Sequence, residues 1–335
     1  MSSTSTRSPY SAVAVAEHYM PNYDAYSLPP DAQVFQCLYL VKAISTAKFP
    51  VYLVSSLANS NTYAMKVFSA KGTRSMEFFL NEIRFSGLKH PNVIQILHYE
   101  QDKVPPIDKQ TESTRIPYTI MEYAPYGDMF DFVQTHKFNI DDKLIRTFFR
   151  QLIDGVEYLH VKGIAHLDLK LENLLLGQDF LLKVADFDIS YIIGDEKLYS
   201  RGTKNYRAPE MIKGTAQDLW AIDMYAIGVV LFTLKTRGIF PYLEGQSIQG
   251  IDLLDLLYND NKAFWKVHAD IIGKRESFFD KHFKALFNGL VNADPQARFK
   301  ISDVKKSKWY RGSVYNKKDF QAKCKKLFAA SESRR

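Results

Sequence analysis

The spacing of apolar positions changes character near residue 128. From Val34 to Val67 they fall in short runs, FQCLYLV, FPVYLVSS and NTYAMKVF, with Asn59-Ser60-Asn61 as a turn signal, and these runs predict strands. Arg74 to Leu88 (RSMEFFLNEIRFSGL) has helical spacing and is expected to stop at Gly87. Gln101 to Pro117 is polar and contains proline, which predicts a loop between strands, and Tyr118 to Glu122 (YTIME) predicts another strand. Beyond residue 128 the period becomes 3.6, and Lys143–His160 and Asp223–Leu234 read as helices. Ala226 to Leu234 (AIGVVLFTL) is expected to be a buried core helix. No run of about 18 apolar residues stands out, so no membrane-spanning helix is expected.

Composition narrows the class. The 335 residues are 46% apolar and 24% charged, which fits a globular chain with a sizeable core. Two cysteines, Cys37 and Cys324, lie far apart without metal-ligand spacing, which argues against a zinc site or a disulfide framework and fits a reducing compartment. The net charge of +7 is largely a property of residues 311–335, which carry eight Lys/Arg and two acids, so specific nucleic-acid binding is not expected.

Residues 1–33, rich in Ser, Thr, Tyr and Pro, read as a loose N-terminal tail too weakly apolar for a secretory signal. A transit peptide stays open, and cytoplasm, with nucleus as an alternative, is the expected location. In 311–335, Phe320, Cys324, Leu327 and Phe328 share one helical face, with lysines elsewhere. Either this is a helix docked on the body of the protein, or it binds a calmodulin-like protein or an anionic surface.

The chemistry concentrates in a few motifs. His166-Leu167-Asp168-Leu169-Lys170-Leu171-Glu172-Asn173 precedes the apolar Leu174-Leu175-Leu176, and Asp186-Phe187-Asp188 follows the strand Leu181 to Val184. Upstream stand Tyr63-Ala64-Met65-Lys66-Val67 and Glu82. Downstream stand Gly202-Thr203 with Tyr206-Arg207-Ala208-Pro209-Glu210, then Asp223 to Gly228, then Asp294 to Arg298. In this order the motifs resemble those of the eukaryotic protein kinase family, serine/threonine type, loosely like its calcium/calmodulin-dependent group, over about residues 34–310.

The resemblance implies an α+β, bilobal protein kinase fold. A small N-terminal antiparallel β-sheet lobe with one key helix (34–123) would precede a larger, mainly helical lobe (124–310). It implies ATP as co-substrate, Mg2+ as cofactor, and phosphorylation of Ser/Thr in protein substrates. Lys66 would hold the α- and β-phosphates, Glu82 would aim Lys66, and Asp186 and Asn173 would bind Mg2+ through oxygen. Asp168 would accept the hydroxyl proton and Lys170 would neutralise the moving phosphoryl group. By the same resemblance Met121 would be the gatekeeper, Glu122 and Ala124 would present backbone to adenine, and Val51, Ala64 and Leu175 would sandwich the ring. Arg298 is expected to pair with Glu210 as scaffolding. The acids Asp128 and Glu172 suggest substrates with basic residues near the phosphoacceptor, or are solvated surface acids.

Three departures bear on activity. The loop before Val51 (Ala43 to Pro50) has no glycine, and Pro50 removes a backbone donor, so weaker phosphate cradling is expected. Asp188 stands where the motif has glycine, and Leu167 stands where an arginine usually meets a phosphate of the activation segment. Activation by phosphorylation of Thr203 or its neighbours is therefore not expected. The competing reading is a pseudokinase, a binding or scaffolding module in kinase form.

Overall fold

The computed structural model describes residues 34–332, apart from 36, 47, 69–72, 106–114, 137–138, 197–199, 201 and 249; the N-terminal tail 1–33 and part of the 101–117 loop lie outside the described residues. The architecture is α+β, and the chain divides into two compact units. One holds the described residues through Arg84 with His98–Ile120, the other Phe85–Leu97 with Met121 onward.

A five-stranded sheet forms from β1 (Leu38–Ser45), β2 (Val51–Ser56), β3 (Thr62–Val67), β4 (Ile96–Glu100) and β5 (Tyr118–Glu122), in the order β1-β2-β3-β5-β4. β1 starts later than the FQCLYLV run suggests, because Val34 and Phe35 lie in a helical turn, and it continues to Ser45 because its antiparallel pairing with β2 does. Val51 faces Lys66 and Leu53 faces Ala64 across the β2–β3 pair, which puts these four side chains on one face of the pleat. The other face contributes Val54, Met65 and Val67 to a small core with Tyr118 and Ile120.

Helix α1 (Thr73–Ile83) ends four residues before Gly87. Arg84 N–H turns back to the Asn81 carbonyl (3.3 Å) and Leu88 N–H to that of Phe85 (3.1 Å). The helical apolar spacing continues past the true end because Phe85 and Leu88 are buried in the core of the second unit, which helix periodicity alone does not distinguish.

The second unit holds α2 (Met129–His136), α3 (Asp142–Val161), the short strands β6 (Ile164–Ala165), β7 (Leu174–Leu176), β8 (Leu182–Val184) and β9 (Tyr191–Ile192), then α4 (Pro209–Lys213) and α5 (Leu219–Thr236). It continues through α6 (Leu253–Asn259), α7 (Asn261–Ile271), α8 (Lys281–Leu290), α9 (Ile301–Lys306) and α10 (Lys317–Glu332). Asp141 caps α3 by accepting from Leu144 N–H (2.8 Å), a contact worth about 1 kcal/mol.

Helix α5 is longer than the AIGVVLFTL run: 18 residues with mean hydropathy 1.4, enough by length and composition to cross a bilayer. Its burial within the unit, with Trp220 as the exception, makes it a core helix, apolar all round because protein covers every side. Gly228 lets α8 approach closely, since a Cβ there would lie 2.7 Å from Val291 and 2.9 Å from Leu290.

Helix α10 docks on this unit through Phe320, Cys324 and Leu327, all buried. Phe328 adds ring contacts to His136 (5.0 Å), Tyr126 (5.1 Å) and Phe180 (5.5 Å). The segment leading to it is held by α3: Arg146 donates to the carbonyls of Trp309 (2.6 Å) and Ser313 (2.7 Å), and Arg150 to those of Tyr310 (2.8 Å) and Gly312 (3.0 Å). Burial pushes the Cys324 thiol up to about 12, so it stays protonated at neutral pH.

Candidate active site

In the first unit, β3 and α1 bring Lys66 and Glu82 together as a buried ion pair, the two residues only 6% and 1% exposed. Thr119 donates its hydroxyl to the second Glu82 oxygen (3.3 Å), so that carboxylate is held at both ends. Charges buried this deeply are tolerated because each satisfies the other. Ala64 and half-buried Val51 share the sheet face of Lys66.

In the second unit, the chain leaving β6 is fixed by Asp223 of α5, whose fully buried carboxylate accepts from the N–H groups of His166 and Leu167 (both 2.8 Å). This holds Leu167 at φ +65°, a left-handed conformation that costs a leucine roughly 1–2 kcal/mol. Asp168 then becomes the hub of a compact cluster. Its Oδ2 accepts from Lys170 Nζ (2.7 Å) and Asn173 Nδ2 (3.1 Å), and its Oδ1 from the Thr203 hydroxyl (2.6 Å). Lys170 also donates to Thr203 Oγ1 (2.8 Å), and Asn173 Nδ2 to the Asp168 carbonyl (2.9 Å).

The β7–β8 pair sets the next members. Asn173 accepts from Ala185 N–H through its carbonyl (2.9 Å), and His166 Nε2 contacts the Ala185 carbonyl (2.9 Å), which ties the two motifs together. Asp186 follows at φ +71°, half-buried. Asp188 is buried and is not among the residues with positive φ, so at this position the backbone makes no demand that only glycine meets. Asn173 and Asp186 carry side-chain oxygen atoms, the chemistry Mg2+ prefers. Among the described residues no group of three or more His, Cys, Asp or Glu side chains gathers as a metal site.

Met121, Glu122 and Ala124 are half-buried where β5 ends. Glu122 N–H already donates to the Gln95 carbonyl (3.1 Å), and its carboxylate accepts from Gln95 N–H (2.8 Å) and Lys183 Nζ (2.9 Å). Leu175 of β7 bridges to Asp128, and Tyr126 N–H donates to the Leu176 carbonyl (3.1 Å), so this stretch is tied to the β7–β8 pair. Burial raises the Asp128 carboxyl above its ordinary range, with the charges of Asp131 and Glu172 adding to the effect against two backbone hydrogen bonds. Arg298 grips Glu210 with two hydrogen bonds (2.5 and 2.9 Å), both residues buried, the pairing expected of them.

Two contributions escaped the sequence. Thr203 touches both Asp168 and Lys170, and its place beside Gly202 in a loop is the available signal. The Gln95–Glu122–Lys183 network had none, since a lysine in a short strand is usually surface decoration.

A family model described as protein kinase domain matches residues 48–310. Among curated proteins, CBL-interacting protein kinase 26 of Oryza sativa subsp. japonica is 30% identical over 272 residues, 78% of this chain and 50% of that protein. CBL-interacting serine/threonine-protein kinase 24 of Arabidopsis thaliana is 33% identical over 227 residues, 67% of this chain and 45% of that protein. The chain thus spans about half the length of the curated relatives it matches.

Proposed function

We propose, from the premise that this chain belongs to the protein kinase family, that it transfers the γ-phosphate of Mg-ATP to a Ser or Thr hydroxyl of a protein substrate. The observation that carries the reading is the Asp168 cluster. There a hydroxyl, that of Thr203, donates to Asp168 at 2.6 Å while Lys170 reaches the same oxygen at 2.8 Å. An incoming substrate hydroxyl held in the same manner loses its proton to Asp168 as its oxygen bonds to the γ-phosphorus; the bond from that phosphorus to the bridging oxygen breaks, ADP leaves, and Lys170 offsets the charge of the moving group.

Lys66, aimed by Glu82, holds the α- and β-phosphates. Asp186 and Asn173 hold Mg2+, which when bound neutralises the phosphate oxygens and the developing charge. For adenine, the first unit offers the side chains of Val51 and Ala64, and the second offers Leu175, Met121 and the 122–124 backbone. Asp128 and Glu172 favour substrates with Arg or Lys near the phosphoacceptor. For the tail, an anionic surface is the partner that requires no undocking, since Lys317, Lys318, Lys325 and Lys326 are exposed while Phe320, Cys324 and Leu327 are buried. A calmodulin-like partner would have to pull that apolar face away.

The test is phosphate transfer from labelled Mg-ATP to a basic serine peptide and to the protein itself, beside Asp168→Asn. Loss of at least about 100-fold in the variant is expected. No transfer by the parent chain, no autophosphorylation and no rise in melting temperature with Mg-ATP would leave the pseudokinase reading instead.

A further inference from the structure

The loop before β2 lacks the glycines whose N–H groups would approach phosphate, yet it is not a plain connection. Phe49 is turned inward and only 7% exposed. Its ring packs on Phe68 (centroids 4.7 Å apart) and meets Phe78 of α1 edge-on (5.7 Å), with the Lys66 ammonium 5.6 Å from its centre. Lys48, itself exposed, sets its ammonium 3.4 Å from the centre of the Phe78 ring and 4.5 Å from that of Phe49. Pro50 has no N–H to offer, and its carbonyl accepts from Val67 N–H (2.9 Å), next to Lys66. Three consecutive loop residues thus grip α1, the end of β3, or both.

The grip falls where it governs the ion pair. Phe78 and Glu82 are four residues apart on α1, hence on one face and one turn apart. Any rotation or outward shift of α1 that separates Glu82 from Lys66 also strips Phe78 from Phe49 and Lys48. Phe68, two residues after Lys66, is packed both by Phe49 (4.7 Å) and by Phe79 of α1 (5.4 Å). Lys48 is exposed, so its cation–ring contacts are modest and add to the buried packing of Phe49 on Phe68 and Phe78, which carries most of the grip.

We propose that Lys48-Phe49-Pro50 is a built-in clamp that keeps Lys66 and Glu82 paired, with Phe49 and Lys48 as positioning residues doing what a phosphorylated activation segment would otherwise do. In this chain the loop trades backbone donors for phosphate against an anchor on α1. The consequence is an ion pair assembled before nucleotide arrives. This deepens the catalytic reading above and rests on it for its effect on turnover, but the clamp itself is measurable without catalysis.

The experiment follows acylation of Lys66 by an amine-reactive ester, without nucleotide, using mass spectrometry, in the parent chain and in Phe49→Ala, Phe49→Leu and Lys48→Ala. Lys66 labelling is expected to quicken about ten-fold in Phe49→Ala and about two- to three-fold in Lys48→Ala. Phe49→Leu, which keeps apolar bulk, recovers most of the protection. In parallel, kcat should fall by similar factors while adenosine affinity, which needs no phosphate contact, holds. Lys48 is exposed, so Lys48→Ala keeps the test open if Phe49→Ala does not fold. Equal Lys66 labelling in all folded variants overturns the clamp, even if the parent chain is an active kinase. The expected labelling pattern in a chain that transfers no phosphate upholds the clamp and sinks the catalytic reading alone.

Discussion

Leucine at φ +65° is an unusual choice, and the surroundings of Leu167 explain how it persists. Two backbone donors, of His166 and Leu167, end on one buried carboxylate of Asp223, and the Leu167 carbonyl runs close to Gly202. A Cβ on Gly202, itself at φ +72°, would sit 2.5 Å from that oxygen, nearer than real contacts allow. Gly202→Ala should therefore push the segment carrying Thr203 away from the loop carrying Asp168, lowering kcat at least about ten-fold for a strain of about 1–2 kcal/mol. Steady-state kinetics with a melting scan check this, since a drop in melting temperature without loss of kcat would contradict it. At this scale the sequence was legible wherever chemistry restricts the residue type, as at Lys66, Asp168, Asn173 and Asp186. It was opaque where packing selects, as at Phe49, because an aromatic residue in a loop gives no sign of which way it will turn.

Among elements, α10 is the one whose role the sequence left open. Its apolar face was legible from i, i+4 and i+7 spacing, but an amphipathic helix reads the same whether it covers its own protein or a partner. The structure shows the face covered, with Leu327 4% exposed. Leu327→Ala should cost about 2–5 kcal/mol, as buried leucines do, and Lys325→Ala on the exposed face less than about 0.5 kcal/mol. Denaturant unfolding monitored on both variants decides it, and equal, small effects would mean the helix is not docked in solution. The ends of α1 and β1 were misjudged for a related reason. Periodicity records which side chains are buried, while hydrogen bonding decides where an element stops.

At the scale of the whole molecule, pH acts on stability through an identifiable buried group, His268. His268 of α7 is fully buried, its Nε2 meets the Pro241 carbonyl (2.9 Å), and Phe232 and Phe264 flank it. Burial lowers its pKa to about 4, against 6.5 when exposed. Between those values the unfolded chain binds a proton that the folded chain refuses. The contribution is therefore complete above pH 6.5, falls as the pH drops toward 4 and then levels, by at most about 3 kcal/mol. His268→Gln should flatten that part of the stability–pH curve, and an unchanged slope would acquit this residue.

Phosphorylation raises the opposite question, of whether charge added to the activation segment helps. Leu167 is buried and apolar, and Arg207 in that segment is committed to the Gly202 carbonyl (2.9 and 3.1 Å) and to Glu244 (3.5 Å). A phosphate on Thr203 would meet the Asp168 carboxylate at hydrogen-bond distance, a like-charge contact. Phosphatase treatment should thus leave kcat within about two-fold, whereas Thr203→Glu should lower it about 100-fold. A many-fold loss of activity on dephosphorylation would contradict this. Together with a loop that holds Lys66 and Glu82 from within the first unit, this describes a chain assembled for turnover by packing rather than by modification.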